Sequence, residues 1–328
     1  MLPAWPDLRP SPAPGPPWRL SGFVHFGTIG VRGQRHGAVL LPVVVVTSIQ
    51  PGEGKTGVAA AIARHYAYLG RAVALARVEA EDGHAEEDAR YYASLEFAPG
   101  NKAAPVAASS IADPGGDALL VVEAGPEAAA AIAAAKVVVV AKGAAPASAP
   151  AGLSPSAVVV TRAPAMAEAS AGDVPVIALA EDRTLAGFSV AEVQALTGSE
   201  TLIEGDCPDG TCDHLVISPI AADAGQPHFR RFPAKAVVVR FDRTDQHLAA
   251  LRGDTPCLVL TGGQRPSSNA LDAASASGAA VLLAPGGTVE TVAALEAIHE
   301  TSRFQGERKL DSMAALLEGS ALFSALAL

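Results

Sequence analysis

The stretch from residue 40 to residue 69 limits most strongly what this chain can fold into. Residues 40–46 read Leu-Leu-Pro-Val-Val-Val-Val, a β-branched apolar run of the kind that forms a buried parallel strand. Thr47-Ser48-Ile49-Gln50-Pro51-Gly52-Glu53-Gly54-Lys55-Thr56 follows, and residues 57–69 have the composition of a helix. A strand, a glycine-bearing turn and a helix opening on Gly-Lys-Thr form a cradle for phosphate. Helix N-terminal N–H groups and the dipole face the anion, a lysine adds a point charge, and a threonine hydroxyl can ligate Mg²⁺. The expected ligand is ATP or GTP, held by Ser48, Gly52, Glu53, Gly54, Lys55, Thr56 and Gly57. The full pattern has glycine where Ile49 stands, or one residue earlier in variant loops, where this chain has Ser48. A helix N-terminus that merely carries Gly-Lys-Thr is the plainer alternative.

With 328 residues the chain has room for roughly two domains of ~150 residues each. Hydrophobic residues are 49% and aromatic ones 5%, so alanine, valine and leucine must fill the core, as suits a layered α/β protein. A formal net charge of -10 gives no electrostatic footprint for nucleic acid. Three cysteines, Cys207, Cys212 and Cys257, cannot all pair within one chain, which speaks against a secreted disulfide framework. The gap between Cys207 and Cys212 is too wide for a zinc knuckle, and no histidine pair completes it. No run of ~18 uncharged apolar residues is present to span a bilayer, and the N-terminus lacks the apolar core of a signal peptide. A cytoplasmic protein that does not bind membranes is expected.

Residues 1–40, rich in Pro, Gly and Arg, are expected to be a disordered extension. A domain at 41–182 follows. Residues 70–78 supply a second strand, completing a βαβ unit with a right-handed crossover. The acidic stretch Glu79, Glu81, Asp82, Glu86, Glu87, Asp88 reads either as a solvated loop or as a source of a Mg²⁺ ligand, best Asp88. Residues 117–123 form an apolar strand ending in Glu123, at the strand end where ligands of open α/β sheets bind; an ordinary turn acid is the alternative. Strands are expected at 136–140, 156–161 and 174–179. A connector at 183–210 carries a helix over 188–198, with Ser189 and Glu192 as a capping box and Gly198 as its stop. The second domain, 211–328, alternates strands at 214–218, 236–241, 257–261 and 280–283 with helices at 246–252, 268–277 and 289–298. Its turns Asp242-Arg243-Thr244-Asp245 and Thr261-Gly262-Gly263 follow apolar strands and crowd one sheet edge, either as a site or as helix caps and tight turns.

Residues 47–205 resemble the dethiobiotin-synthetase-like P-loop domain, and Asp242-Arg-Thr-Asp with Leu260-Thr-Gly-Gly263 looks like a DRTGG domain. The order is similar to the N-terminal region of long bacterial phosphotransacetylases and to free-standing proteins of that type. The flanks 247–251 and 303–309, and the joining segment 177–183, also resemble that arrangement. The resemblance implies a parallel-sheet P-loop NTPase domain followed by a smaller α/β DRTGG domain. ATP and Mg²⁺ would be the cofactors, Lys55 and Glu123 the catalytic pair, and Thr56, Glu123 and Asp88 the metal ligands. Asp242, Arg243, Thr244, Thr261, Gly262 and Gly263 would form a second ligand or dimer site, and the protein would be a homodimer.

Dethiobiotin synthetase carries a substrate-binding lysine on its second strand where Arg77 stands, and it has no DRTGG domain. Phosphate acetyltransferase activity is not expected of these 328 residues. The leading expectation is a regulatory or metabolite-sensing nucleotide-binding protein. The alternatives are an ATP-dependent carboxylase or ligase, with Arg77 in its acceptor pocket, and a partner subunit of a separate metabolic enzyme.

Overall fold

The valine run makes the central strand. The computed structural model describes residues 43–80, 83–111, 118–132, 136–164, 174–206, 210–218 and 228–328. The expected extension at 1–40, Glu81, Asp82 and Cys207 lie outside these residues. Strand β1 (Val43–Ser48) is buried at every position and leads through the loop to α1 (Lys55–Tyr68). Then come β2 (Val73–Arg77), α2 (Ala85–Ala93), β3 (Leu119–Glu123), α3 (Pro126–Ala131), β4 (Lys136–Lys142), β5 (Ala157–Ala163) and β6 (Val176–Ala180). These strands form a six-stranded parallel sheet in the order β2-β3-β1-β4-β5-β6. The chain moves outward from β1 to β2, returns to β3 and then continues on the far side of β1. The winding therefore reverses at β1, and a crevice is expected at its C-terminal end.

A second sheet follows the short strand β7 (Phe188–Ser189) and α4 (Val190–Thr197). The expected capping box is borne out: Glu192 N–H donates to Ser189 Oγ, the Glu192 carboxylate accepts from Ser189 N–H, and Gly198 ends the helix in the left-handed region. Next are β8 (Glu200–Ile203), β9 (Thr211–Cys212), β10 (His214–Ile217), β11 (Lys235–Arg240), α5 (Thr244–Leu251), β12 (Cys257–Thr261), α6 (Ser268–Ser277), β13 (Ala280–Leu283), α7 (Thr288–Ala294) and α8 (Ile298–Thr301). The order is β10-β11-β12-β13-β8, parallel except for β8, which runs antiparallel to β13 at the edge. No local pattern in residues 200–203 signals β8. The helix expected over 289–298 is broken after Ala294 and resumes as the single turn α8.

The last two helices, α9 (Glu307–Glu318) and α10 (Leu322–Leu326), return to the first sheet. Helix α1 is apolar nearly all round, with Val58 to Ala63 inaccessible, so one side meets the sheet and the other needs a cover. Leu310, Met313 and Leu317, spaced three and four residues apart along α9, supply it, and Arg64 pairs with Asp311 and Glu307 at the rim. The segment 211–328 thus contains two helices whose apolar faces belong to the first sheet's core. Removing most of a fully buried leucine leaves a cavity, so Leu317→Ala should lower unfolding free energy by about 2–5 kcal/mol in a urea titration. A cost below about 1 kcal/mol would mean that α9 does not seal this core.

Candidate functional site

The loop after β1 is shaped by two left-handed glycines, Gly52 (φ 75) and Gly54 (φ 99). A Cβ on Gly54 would also lie 3.2 Å from the Thr161 methyl, so this residue is glycine for both backbone and space. Ser48 Oγ donates to Gln50 O at 2.6 Å and accepts from Lys55 Nζ at 2.9 Å. Gln50 N–H donates to Glu53 Oε2 at 3.0 Å, and Thr161 Oγ1 donates to Glu53 O at 2.8 Å, which fastens the loop to the end of β5. Lys55 is buried, and its ammonium spans the mouth of the loop.

Beside the loop, Glu123 ends β3 at 2% exposure. Its Oε1 accepts from Thr56 Oγ1 at 3.3 Å and lies 3.6 Å from Arg77 Nε. Its Oε2 accepts from the Tyr92 hydroxyl at 2.5 Å. Arg77 Nε also meets Asp88 Oδ2 at 3.1 Å, and Arg77 Nη1 donates to Val78 O at 2.8 Å. Burial raises the Glu123 carboxyl above the usual carboxylate range, against the lowering effect of the Arg77 guanidinium. Burial and the adjoining carboxylate hold the Tyr92 phenol well above its ordinary value. Thr56, Glu123 and Asp88, the three expected metal ligands, are therefore brought together, but with a guanidinium set between the two carboxylates. Both Glu123 oxygens are engaged within the protein, and the one beside Thr56 faces the Arg77 guanidinium. As it stands, this donor set does not fit magnesium, which needs open oxygens in near-octahedral array.

A cavity of about 500 Å³ opens over the loop, a volume within the usual range for small-molecule sites. Residues 52–56 form its floor, Asp88 and Glu123 one flank, and Thr161, Arg162 and residues 179–182 at the ends of β5 and β6 the other. Residues 300–304, from the end of α8 into the link to α9, form its roof. Ser48 and Gly57 stand behind the wall: Ser48 braces Lys55, and Gly57 makes room for the Phe304 ring, which a Cβ would approach to 2.7 Å.

Sequence reasoning missed Tyr92, Phe304 and Arg162. Phe304 packs edge-on against Tyr91, which neighbours Tyr92, so the roof is linked through aromatic rings to Glu123. Arg162 adopts φ 50 where the β5–β6 register breaks between Val160 and Ala163, a strained conformation for a non-glycine residue at a cavity wall. No local pattern signals either feature.

The second motif lies on the C-terminal edge of the second sheet. Arg240 pairs with Asp242 at 2.7 Å and Arg243 with Asp245 at 3.0 Å. Thr244 Oγ1 meets Ser267 Oγ at 3.0 Å, and Thr261 Oγ1 meets Thr288 Oγ1 at 2.8 Å. Gly262 (φ 101) and Gly263 (φ 66) are tight-turn positions, as one alternative had them, but neither Asp242 nor Thr244 caps α5: its N-cap is Arg243, with no side-chain cap.

The chain thus has two open α/β sheets, the first carrying a phosphate-loop-like turn roofed by residues 300–304. Residues 192–298 match the DRTGG domain family, so the chain carries a DRTGG domain there. It is also similar to a crystal structure of the CBS and DRTGG domains of the regulatory region of Clostridium perfringens pyrophosphatase, complexed with the activator diadenosine tetraphosphate. The identity is 13%, the likeness spans 38% of this chain and 54% of that one, and the TM-score is 0.31. The chain thus spans about half of that structure's length. Among the described residues no helix is long and apolar enough to cross a membrane.

The roof is held by charge. Lys309, 1% exposed, donates from Nζ to Arg303 O, and Arg303 N–H donates to Glu192 Oε1 at 2.8 Å. Burial lowers the Lys309 ammonium from 10.5 to about 8. Between these values the unfolded chain holds a proton that the folded protein has released, so this group's contribution to stability is complete above 10.5 and falls away as pH drops to about 8. Wild-type unfolding free energy should therefore rise relative to Lys309→Met as pH increases through this window. A difference that stays flat would contradict the burial of a charged amine here.

Proposed function

We propose that this chain is a regulatory nucleotide-binding protein of the type found in the N-terminal region of long phosphotransacetylases. A P-loop turn holds the phosphates of ATP, and a DRTGG domain senses a second ligand or pairs two subunits in a homodimer. The observation that carries this proposal is the buried Lys55 ammonium, spanning a loop opened by two left-handed glycines beneath a cavity of about 500 Å³. The N–H groups at the start of α1 and Lys55 suit phosphate oxygens, and Arg162 offers a further cation from the β5 side. The roof at 300–304 joins α8, packed in the second sheet's core through Ile298, to α9 on the first, so an occupied cavity would be felt by both. Arg77, the acceptor-pocket residue of the ligase alternative, is buried between Glu123 and Asp88 and does not line the cavity, which counts against that use of it.

Calorimetric titration with ATP in magnesium-containing buffer should show saturable binding to the wild type. Lys55→Ala should weaken it by tenfold or more, about 1.4 kcal/mol, the scale of one charge-assisted contact. Equal affinity in the two proteins would remove the loop from the binding site.

A further inference from the structure

We propose that Arg77 takes the divalent cation's place on the Glu123 and Asp88 carboxylates, so that the phosphate loop takes its nucleotide without magnesium. The inference rests on the nucleotide-binding assignment above and concerns the same cavity. In a site where a metal bridges phosphate and protein, the acid ending the third strand must offer an oxygen, directly or through water, beside the loop threonine. Here that oxygen, Glu123 Oε1, accepts from Thr56 and faces Arg77 Nε at 3.6 Å, while Oε2 is closed by Tyr92. The second carboxylate, Asp88, is joined to the same guanidinium at 3.1 Å.

Arg77 is not a surface side chain resting on this pair. It is 2% exposed, is anchored to Val78 O, and is among the largest fully buried side chains of the described residues. A guanidinium keeps its charge at any pH the fold survives, so a magnesium ion brought to Glu123 would meet a fixed like charge. Turning Arg77 away to admit the ion would instead leave a buried guanidinium without its carboxylate partners, at the cost that attaches to an unpaired buried charge. Formally, Arg77 and Lys55 balance Asp88 and Glu123 before any ligand arrives. The nucleotide's own charge then falls to the α1 amides, Lys55 once released from Ser48, and Arg162. A site with this cation built in binds phosphate while lacking the mobile metal that usually bridges the β- and γ-phosphates in phosphoryl transfer.

The test is calorimetric titration of the full chain with ATP, and separately with ADP, in EDTA and in excess magnesium. Affinities in the two media should agree within about threefold. Binding that appears only with magnesium would overturn the role of Arg77 while leaving the nucleotide site standing. No binding in either medium would overturn the nucleotide site itself, and with it this inference. In Arg77→Met, checked for folding by thermal melting, the carboxylates lose their cation and affinity should become at least tenfold weaker in EDTA than in magnesium. A folded variant that stays indifferent to magnesium would show that the guanidinium is not the substitute. Should the variant fail to fold, the wild-type comparison decides alone.

Discussion

Glu123 ends the third strand of the first sheet inside the protein, and a carboxylate at 2% exposure is tolerable only when it is paired and hydrogen-bonded. That requirement organises its surroundings. Arg77 comes from the neighbouring strand β2, where it stands in register with Glu123, and Thr56 comes from the first turn of α1. Tyr92 reaches in from α2, which places Asp88, one turn earlier, against the same guanidinium. One buried charge thus fixes the relation of two strands and two helices around the phosphate-loop-like turn. Hydrogen bonds to a charged group are stronger than neutral ones, which favours this set over looser arrangements of the same side chains.

The roof extends this network to the DRTGG domain. Phe304 packs over Gly57, where no larger residue fits without displacing the ring, and meets Tyr91 beside Tyr92. Its neighbour Arg303 is held through its backbone by Glu192, the capping-box acid of α4, and by Lys309 at the start of α9, and its side chain pairs with Glu87 on α2. A single acid therefore both starts a helix of the matched DRTGG segment and fastens the cavity's cover. This is a physical route by which occupancy of the cavity and packing of the second sheet can affect one another. Arg308, bound to Asp213, adds a further tie on the same side.

Much of this architecture was legible because it is written in local patterns. Valine runs gave the parallel strands, the Ser189–Glu192 box and Gly198 marked α4, and α6 begins and ends where its composition placed it. Gly52, Gly54 and Lys55 stood out because a phosphate loop demands those residue types at that spacing. The missing parts depend on contacts between distant residues. β8 is one exposed and three half-buried residues whose cue is an antiparallel partner about eighty residues on. The apolar face of α9 is visible as a period, but periodicity does not say that α1 is what it covers. Arg77 read as part of an acceptor pocket because a sequence does not reveal that Glu123 and Asp88 claim it first.

A ligand seated between the phosphate-loop-like turn and the roof would touch both. Hydrogen–deuterium exchange of the full chain with and without saturating ATP tests this seating most directly. Slowed exchange in residues 48–57 and, together with it, in residues 300–306 is the expected result. Protection absent from the turn, or confined to the turn while the roof exchanges as before, would contradict it.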